Sequence, residues 1–314
     1  MALSPVGVQT RRPRFRRANE PPPFRLTPDD VEIVRIVARH RLIRSTHIAA
    51  LVGRSLDRTN DRLLRLFHAG YVDRPRAQLD YYPTAGSAPM VYGLADRGAR
   101  LLREWDGVEF RSGEWSRKNR EAHRPFIEHQ IEIVNFRVAL QRAVAQQPDL
   151  RLLRAEDLIA ASRAPVASDA FALQADVRVK GRVMRRHVIP DIVFGLVRSD
   201  ETRRNFMVEI DRGTMPVRRS DPEQTSIESK MRVYLAAHAA KQHQRQFGWK
   251  NFRVLFITTD EQRMRTMLET ARQLRAGRRS APSLFLLATL SELVGTSPLA
   301  HRWQEPYGGP TLLA

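Results

Sequence analysis

A chain of 314 residues, 42% of them hydrophobic and none of them cysteine, is long enough for two cores and excludes disulfides, thiol catalysis and Cys-ligated zinc. Its 53 Lys and Arg against 34 Asp and Glu leave a net charge of +19, a surface that attracts polyanions and nucleic acid above all. No apolar run reaches the roughly 18 residues of a membrane span, and the opening MALSPVGVQT lacks the charged start and apolar stretch of a secretion signal, so a cytoplasmic protein away from membranes is expected.

Only Lys118, Lys180, Lys230, Lys241 and Lys250 are lysine, so a genomic bias toward arginine is the alternative source of the charge. Residues 1–25 carry Arg11, Arg12, Arg14, Arg16, Arg17 and Arg25 against Glu20 alone, with Pro21, Pro22 and Pro23 in a run; a disordered basic arm is expected there.

From Thr27 the pattern becomes helical. Thr27 is a good cap with Pro28 in the first turn, and Val31, Val34, Ile36, Val37 and Leu42 follow at helical spacing. A short helix from Ser45 to Val52 stops at Gly53, and a third runs from about Ser55 to Ala69. On the third, Leu56, Leu63, Leu66 and Phe67 share one face. Arg54, Arg58, Arg62 and Arg65 form a stripe at steps of four, four and three. Gly70-Tyr71-Val72 opens a hairpin whose outgoing strand is Met90–Leu94, and a helix covers Ala95–Trp105. Helix, helix, helix, hairpin, helix is the order of a winged helix-turn-helix, with the arginine stripe in the recognition position. Residues 26–106 are therefore read as a DNA-binding domain in which Arg54, Arg58, Thr59, Arg62 and Arg65 approach duplex DNA. A solvated helix face, or a winged helix that binds protein, are the other readings of the same pattern.

Residues 107–120 read as a linker, residues 121–296 as a mixed α/β domain and residues 297–314 as a tail. The second domain begins with a long helix over Glu121–Gln147. Strands follow near Leu150–Leu153 and Val177–Val179, then at His187–Val197 and Asn205–Asp211. A helix over Ser226–Phe247, a strand at Phe252–Thr258, a helix at Glu261–Ala276 and a strand at Leu284–Ala288 complete it.

The polar run Arg198–Arg204 closes a hairpin, and symmetry about Asp200 places Asp191 opposite Glu209. Alternation then puts Ile192, Phe194, Leu196, Phe206, Val208 and Ile210 on a core face, and Asp191, Glu209 and Asp211 on the other. Opposed carboxylates destabilise a hairpin unless a cation lies between them, and such pairs are what a Mg²⁺ site uses. His129 reads as a packing or capping residue, with an approach of Glu128 and His129 to the acidic face as the alternative, and His238, His243 and His301 show no metal-ligand spacing.

Pro190-Asp191 followed by Glu209-Ile210-Asp211 resembles the PD-(D/E)xK nucleases, a restriction-endonuclease-like fold in which a helix precedes a three-stranded meander. That family places Lys two residues after its second acid, where this chain has Asp211, with Lys230 on the next helix as the substitute. The winged helix, Phe126-Ile127-Glu128-His129-Gln130, Pro190-Asp191, the string Glu209–Thr214, and Lys230 with Tyr234 together resemble the replication-relaxation family of plasmids and integrative mobile elements over roughly 26–260. The resemblance implies a Mg²⁺-dependent DNA-nicking or DNA-cleaving site with Asp191, Glu209 and Lys230 as catalytic residues. Asp191, Glu209, the Ile210 carbonyl and Asp211 would supply metal ligands. The alternative is a non-catalytic replication, transfer or transcription regulator with an inactive nuclease-like domain. Duplex DNA is the expected partner, alongside a second copy of the chain or replication and transfer proteins.

Overall fold

The computed structural model describes residues 13–79, 88–110, 113–162, 170–179, 181–221, 223–274 and 283–314. It divides into two compact units, Met1–Asn135 and Phe136–Ala314. The mixed α/β class expected from the sequence is observed.

The first unit opens with α1 (Pro28–His40), where the Thr27 side chain and Asp30 cap each other's backbone N–H groups. A short strand β1 (Leu42–Arg44) leads into α2 (Ser45–Val52), which ends on Gly53 at φ +67°, a conformation that suits glycine. Next come α3 (Leu56–His68), β2 (Val72–Asp73), β3 (Val91–Leu94) and α4 (Asp96–Asp106). The strands form one antiparallel sheet in the order β1-β3-β2, with Leu42 opposite Gly93 and Val72 opposite Leu94.

Two expectations about this unit fail. The supposed linker contains α5 (Trp115–Glu121), which packs on β3. Its Asn119 is buried, donates to the Leu94 carbonyl at 2.7 Å and accepts from Arg41 at 2.5 Å. A polar stretch thus folds because one amide satisfies backbone and side-chain partners that would otherwise be buried alone. The arm is also tied down over its described part. Arg17 donates to the carbonyls of Phe67 and Val72 and pairs with Asp73 at 2.5 Å, and Phe24 lies 6.3 Å from the Tyr71 ring. Residues 1–12 of the expected arm lie outside the described residues.

The helix α6 (Arg124–Ala145) contains the boundary between the units. In the second unit it is followed by β4 (Leu150–Leu153), α7 (Ala155–Ala160), β5 (Leu173–Val179), β6 (Arg182–Val188), β7 (Ile192–Arg198) and β8 (Arg203–Ile210). Then come α8 (Ile227–Ala239), α9 (Gln242–Phe247), β9 (Arg253–Thr258), α10 (Glu261–Leu274), β10 (Phe285–Thr289) and α11 (Leu290–Leu293). A five-stranded sheet runs β10-β9-β8-β7-β4. Strand β8 is antiparallel to β7 and parallel to β9, and β5 pairs with β6 in a separate ribbon.

The single strand expected over His187–Val197 is two, because Pro190 offers no N–H to a ladder and breaks the run between the ribbon and the sheet. The helix expected over Ser226–Phe247 is also two, divided at Lys241 with φ +55°. The tail is part of the fold. Gln304 bridges Leu287 on the free edge of β10, and Trp303 is fully buried with its Nε1 donating to the Pro298 carbonyl at 3.0 Å. Helices cover the odd-numbered face of β8, where Met207 joins Met231, Tyr234 and Met267 in one cluster. On the other face Phe194 stacks on Phe206 with centroids 4.9 Å apart, and Phe136 packs on Phe194. The face that carries the carboxylates is therefore a second core face, as the parallel strands β8, β9 and β10 require.

Candidate functional site

The hairpin register places Ile192 opposite Val208 and Gly195 opposite Asn205, which carries Asp191 opposite Glu209 as the turn symmetry demands. Asp191 lies one residue before β7 and its Oδ2 accepts the N–H of Ile210 at 2.8 Å. Glu209 points into the core, 1% exposed. Lys230 and Tyr234 stand one turn apart on α8 and approach the two oxygens of Glu209 separately. Lys230 Nζ lies 2.5 Å from Oε2, and the Tyr234 hydroxyl donates to Oε1 at 2.6 Å.

Asp211 continues the same face but serves another network. Its oxygens accept from Arg263 at 2.5 and 3.0 Å and from the Thr258 hydroxyl at 2.6 Å, and its Oδ1 accepts the Gly213 N–H at 3.2 Å. Arg263 also donates to the Met215 carbonyl. The charges of Glu156 and Asp191 both act on Arg137 of α6. Glu209 and Asp211 each have a basic side chain of the chain itself in contact.

Burial raises the Glu209 carboxyl above its ordinary range; Lys230 opposes the shift and the Asp191 charge adds to it. Burial alone would lower Lys230, but Glu209 and the neighbouring acids raise it. Tyr234 is pushed well up by burial and then by the adjoining Glu209 charge. The phenol therefore stays protonated and donates.

This arrangement does not fit the expected Mg²⁺. Both oxygens of Glu209 are taken, one by an ammonium, and Asp211 is closed by a guanidinium and a hydroxyl. Hard divalent cations need free carboxylate oxygens around an open position. Among the described residues no group of three or more His, Asp or Glu is placed to hold a metal ion. The structure brings Asp191, Glu209 and Lys230 together as expected, and assigns Asp211 to Arg263. Reading the sequence overlooked Arg137 and Arg263 and gave Tyr234 no role. Arg137 had a signal, a lone arginine on the buried stripe between Val134 and Val138. Arg263 had none, since its partner is 52 residues away.

The five residues expected at DNA, four on α3 and Arg54 just before it, separate into four kinds. Arg58 and Arg65 are exposed, and their side chains make no hydrogen bond or ion pair among the described residues. Arg54 is exposed and pairs with Asp29. Arg62 instead grips the fully buried Asp30, donating to Oδ1 at 2.7 Å and also to Oδ2, and stacks 5.0 Å over the Phe24 ring. Thr59 is 1% exposed with its hydroxyl on the Ser55 carbonyl at 2.9 Å, so it faces the core and not the surface. Leu56, expected on the buried face, is 41% exposed.

A family model described as replication-relaxation matches residues 34–251, more than half of the chain. No curated protein matches it.

Proposed function

This chain belongs to the replication-relaxation family, and we propose that it acts in replication or relaxation of plasmid or other mobile-element DNA as a duplex-binding protein that does not cut. The observation that carries the non-cutting part is the pairing of Glu209 with Lys230 and of Asp211 with Arg263. Two acids paired with protein cations have little negative charge left to recruit Mg²⁺, and no oxygen of Glu209 is left to bind it. The DNA-binding part is supported by the order of elements in the first unit and by Arg58 and Arg65 on α3.

The nuclease reading has one observation of its own, the Asp191 to Glu209 register with a lysine on the glutamate. One experiment separates the two. Full-length protein is titrated into labelled duplex, and incubated with supercoiled plasmid, with Mg²⁺, Mn²⁺ or chelator. Duplex affinity independent of metal and plasmid left supercoiled are expected. Nicking that needs metal and is lost in Glu209→Gln would establish the nuclease, and absence of any duplex binding would overturn the proposal as a whole.

A further inference from the structure

The parallel strands β8, β9 and β10 have two ends of different chemistry. Glu209, Asp211 and Thr258 stand toward their C-terminal ends. At their N-terminal ends a cavity of about 450 Å³ opens, to which Arg203, Arg204 and Arg253 contribute together with Leu235, Phe252 and Leu313. No Asp or Glu lines it among the described residues.

Three guanidinium groups at one cavity are costly neighbours unless something anionic joins them. Arg253 has such a partner in Glu305, at 3.0 Å. Arg204 donates to the Leu313 carbonyl at 3.2 Å, a neutral acceptor, and neither it nor Arg203 has a carboxylate partner among the described residues. Burial and the nearby charges of Arg198 and Arg253 all work against the protonated form of Arg204. An arginine cannot escape by losing its proton at neutral pH, so the imbalance stands until an anion is bound.

An inorganic anion would need only the arginines, and an apolar ligand only the leucines and Phe252. The cavity offers both, at a volume typical of small-ligand sites. Its polar wall is fixed as well: His238 Nε2 lies 2.8 Å from Asn251 Oδ1, and the His238 ring stacks on His243 with centroids 4.9 Å apart. We propose that this cavity binds a nucleoside phosphate, with the phosphate on Arg203 and Arg204 and the base against Leu235 and Phe252. A free nucleotide and the phosphorylated end of a DNA strand present the same chemistry. No residue of α3 or of the Glu209 cluster takes part, so the inference stands apart from the function proposed above.

Calorimetric titration of the full chain tests it, with thymidine 5′-monophosphate, thymidine, inorganic phosphate and a 5′-phosphorylated thymidine tetranucleotide as probes. The monophosphate binds at least about tenfold more tightly than thymidine or phosphate alone, because each of those fills half of the site. Replacing both arginines, Arg203→Gln with Arg204→Gln, weakens the monophosphate by about tenfold or more and leaves the duplex affinity unchanged, while Arg203→Gln alone, which breaks no hydrogen bond of the tail, weakens the monophosphate at an unchanged melting temperature. Tighter binding of the tetranucleotide assigns the site to strand ends, and equal binding assigns it to free nucleotides. A monophosphate that binds no better than inorganic phosphate, or as well to the double variant as to the wild type, overturns the proposal.

Discussion

Arg58 and Arg62 sit one turn apart on α3, yet one faces solvent and the other holds a buried carboxylate. Burial alone would raise the Asp30 carboxyl, but the Arg62 hydrogen bonds, with help from Thr27, bring it below the ordinary value. Removing one partner of such a pair leaves an uncompensated buried charge, which typically costs about 3–5 kcal/mol. Arg62→Ala is therefore expected to destabilise the first unit by that order in urea unfolding, while Arg58→Ala leaves stability within about 0.5 kcal/mol and lowers duplex affinity. Equal stability of the two variants would return Arg62 to the DNA surface. His47 provides a second test, by pH. Burial, helped by the Arg44 charge and against a hydrogen bond to Asn135, brings its pKa down to about 4. Above pH 6.5 the imidazole is neutral in both folded and unfolded chain and contributes nothing. Between 6.5 and about 4 only the unfolded chain takes the proton, so stability falls with pH by up to about 3 kcal/mol. His47→Gln should remove that part of the acid sensitivity, visible as a shallower loss of stability between pH 6.5 and 4.5; a slope equal to that of the wild type would refute the assignment.

At the scale of elements, α5 decides where the first unit can be cut. Leu42 and Val91 of the sheet share a cluster with Ala122, Ile127 and Ile131, and Asn119 reaches Leu94, Asp73 and Arg41. A fragment ending at residue 110 loses all of these, and one ending at residue 135 keeps them. The shorter fragment is expected to melt lower and less cooperatively than the longer in calorimetry, and identical melts would make α5 dispensable. Gly98 is the matching constraint inside α4: a Cβ there would lie 2.2 Å from the Tyr71 carbonyl oxygen, so the helix packs this close only because the side chain is absent. Helices with a cap and an apolar stripe were readable in advance, since Thr27, Ser55 and Gly53 announce their ends locally. The β7–β8 register was readable too, because a short polar turn fixes which residues face each other. What escaped depends on distant partners. The polar segment of α5 is stabilised through Asn119, the break at Pro190 separates two sheets, and the tail is ordered by Trp303 burial, none of which leaves a periodic trace. For the same reason the sequence disclosed the acids of the site and Lys230, but not the Arg263 that closes Asp211.

Over the whole molecule, the count of 53 Lys and Arg overstates the cations free to reach a polyanion. Arg17, Arg35, Arg62 and Arg263 are engaged with Asp73, Asp106, Asp30 and Asp211, and these pairs fix the fold. Arg58 and Arg65 belong to the part of the surplus still free for phosphate. If about six phosphates are neutralised in the duplex complex, log K falls against log salt with a slope near −5, since each contact releases roughly 0.9 of a counterion. Replacing Arg58 and Arg65 together by Ala should flatten that slope by about 2 and weaken every duplex alike, if both reach only the backbone. If either reads a base edge, the loss instead differs among sequences by about 1–3 kcal/mol. Anisotropy titrations of the full chain across a salt series, on two unrelated duplexes, distinguish the cases. A slope unchanged by the double replacement would remove α3 from the interface and leave DNA binding to other surplus arginines of the chain.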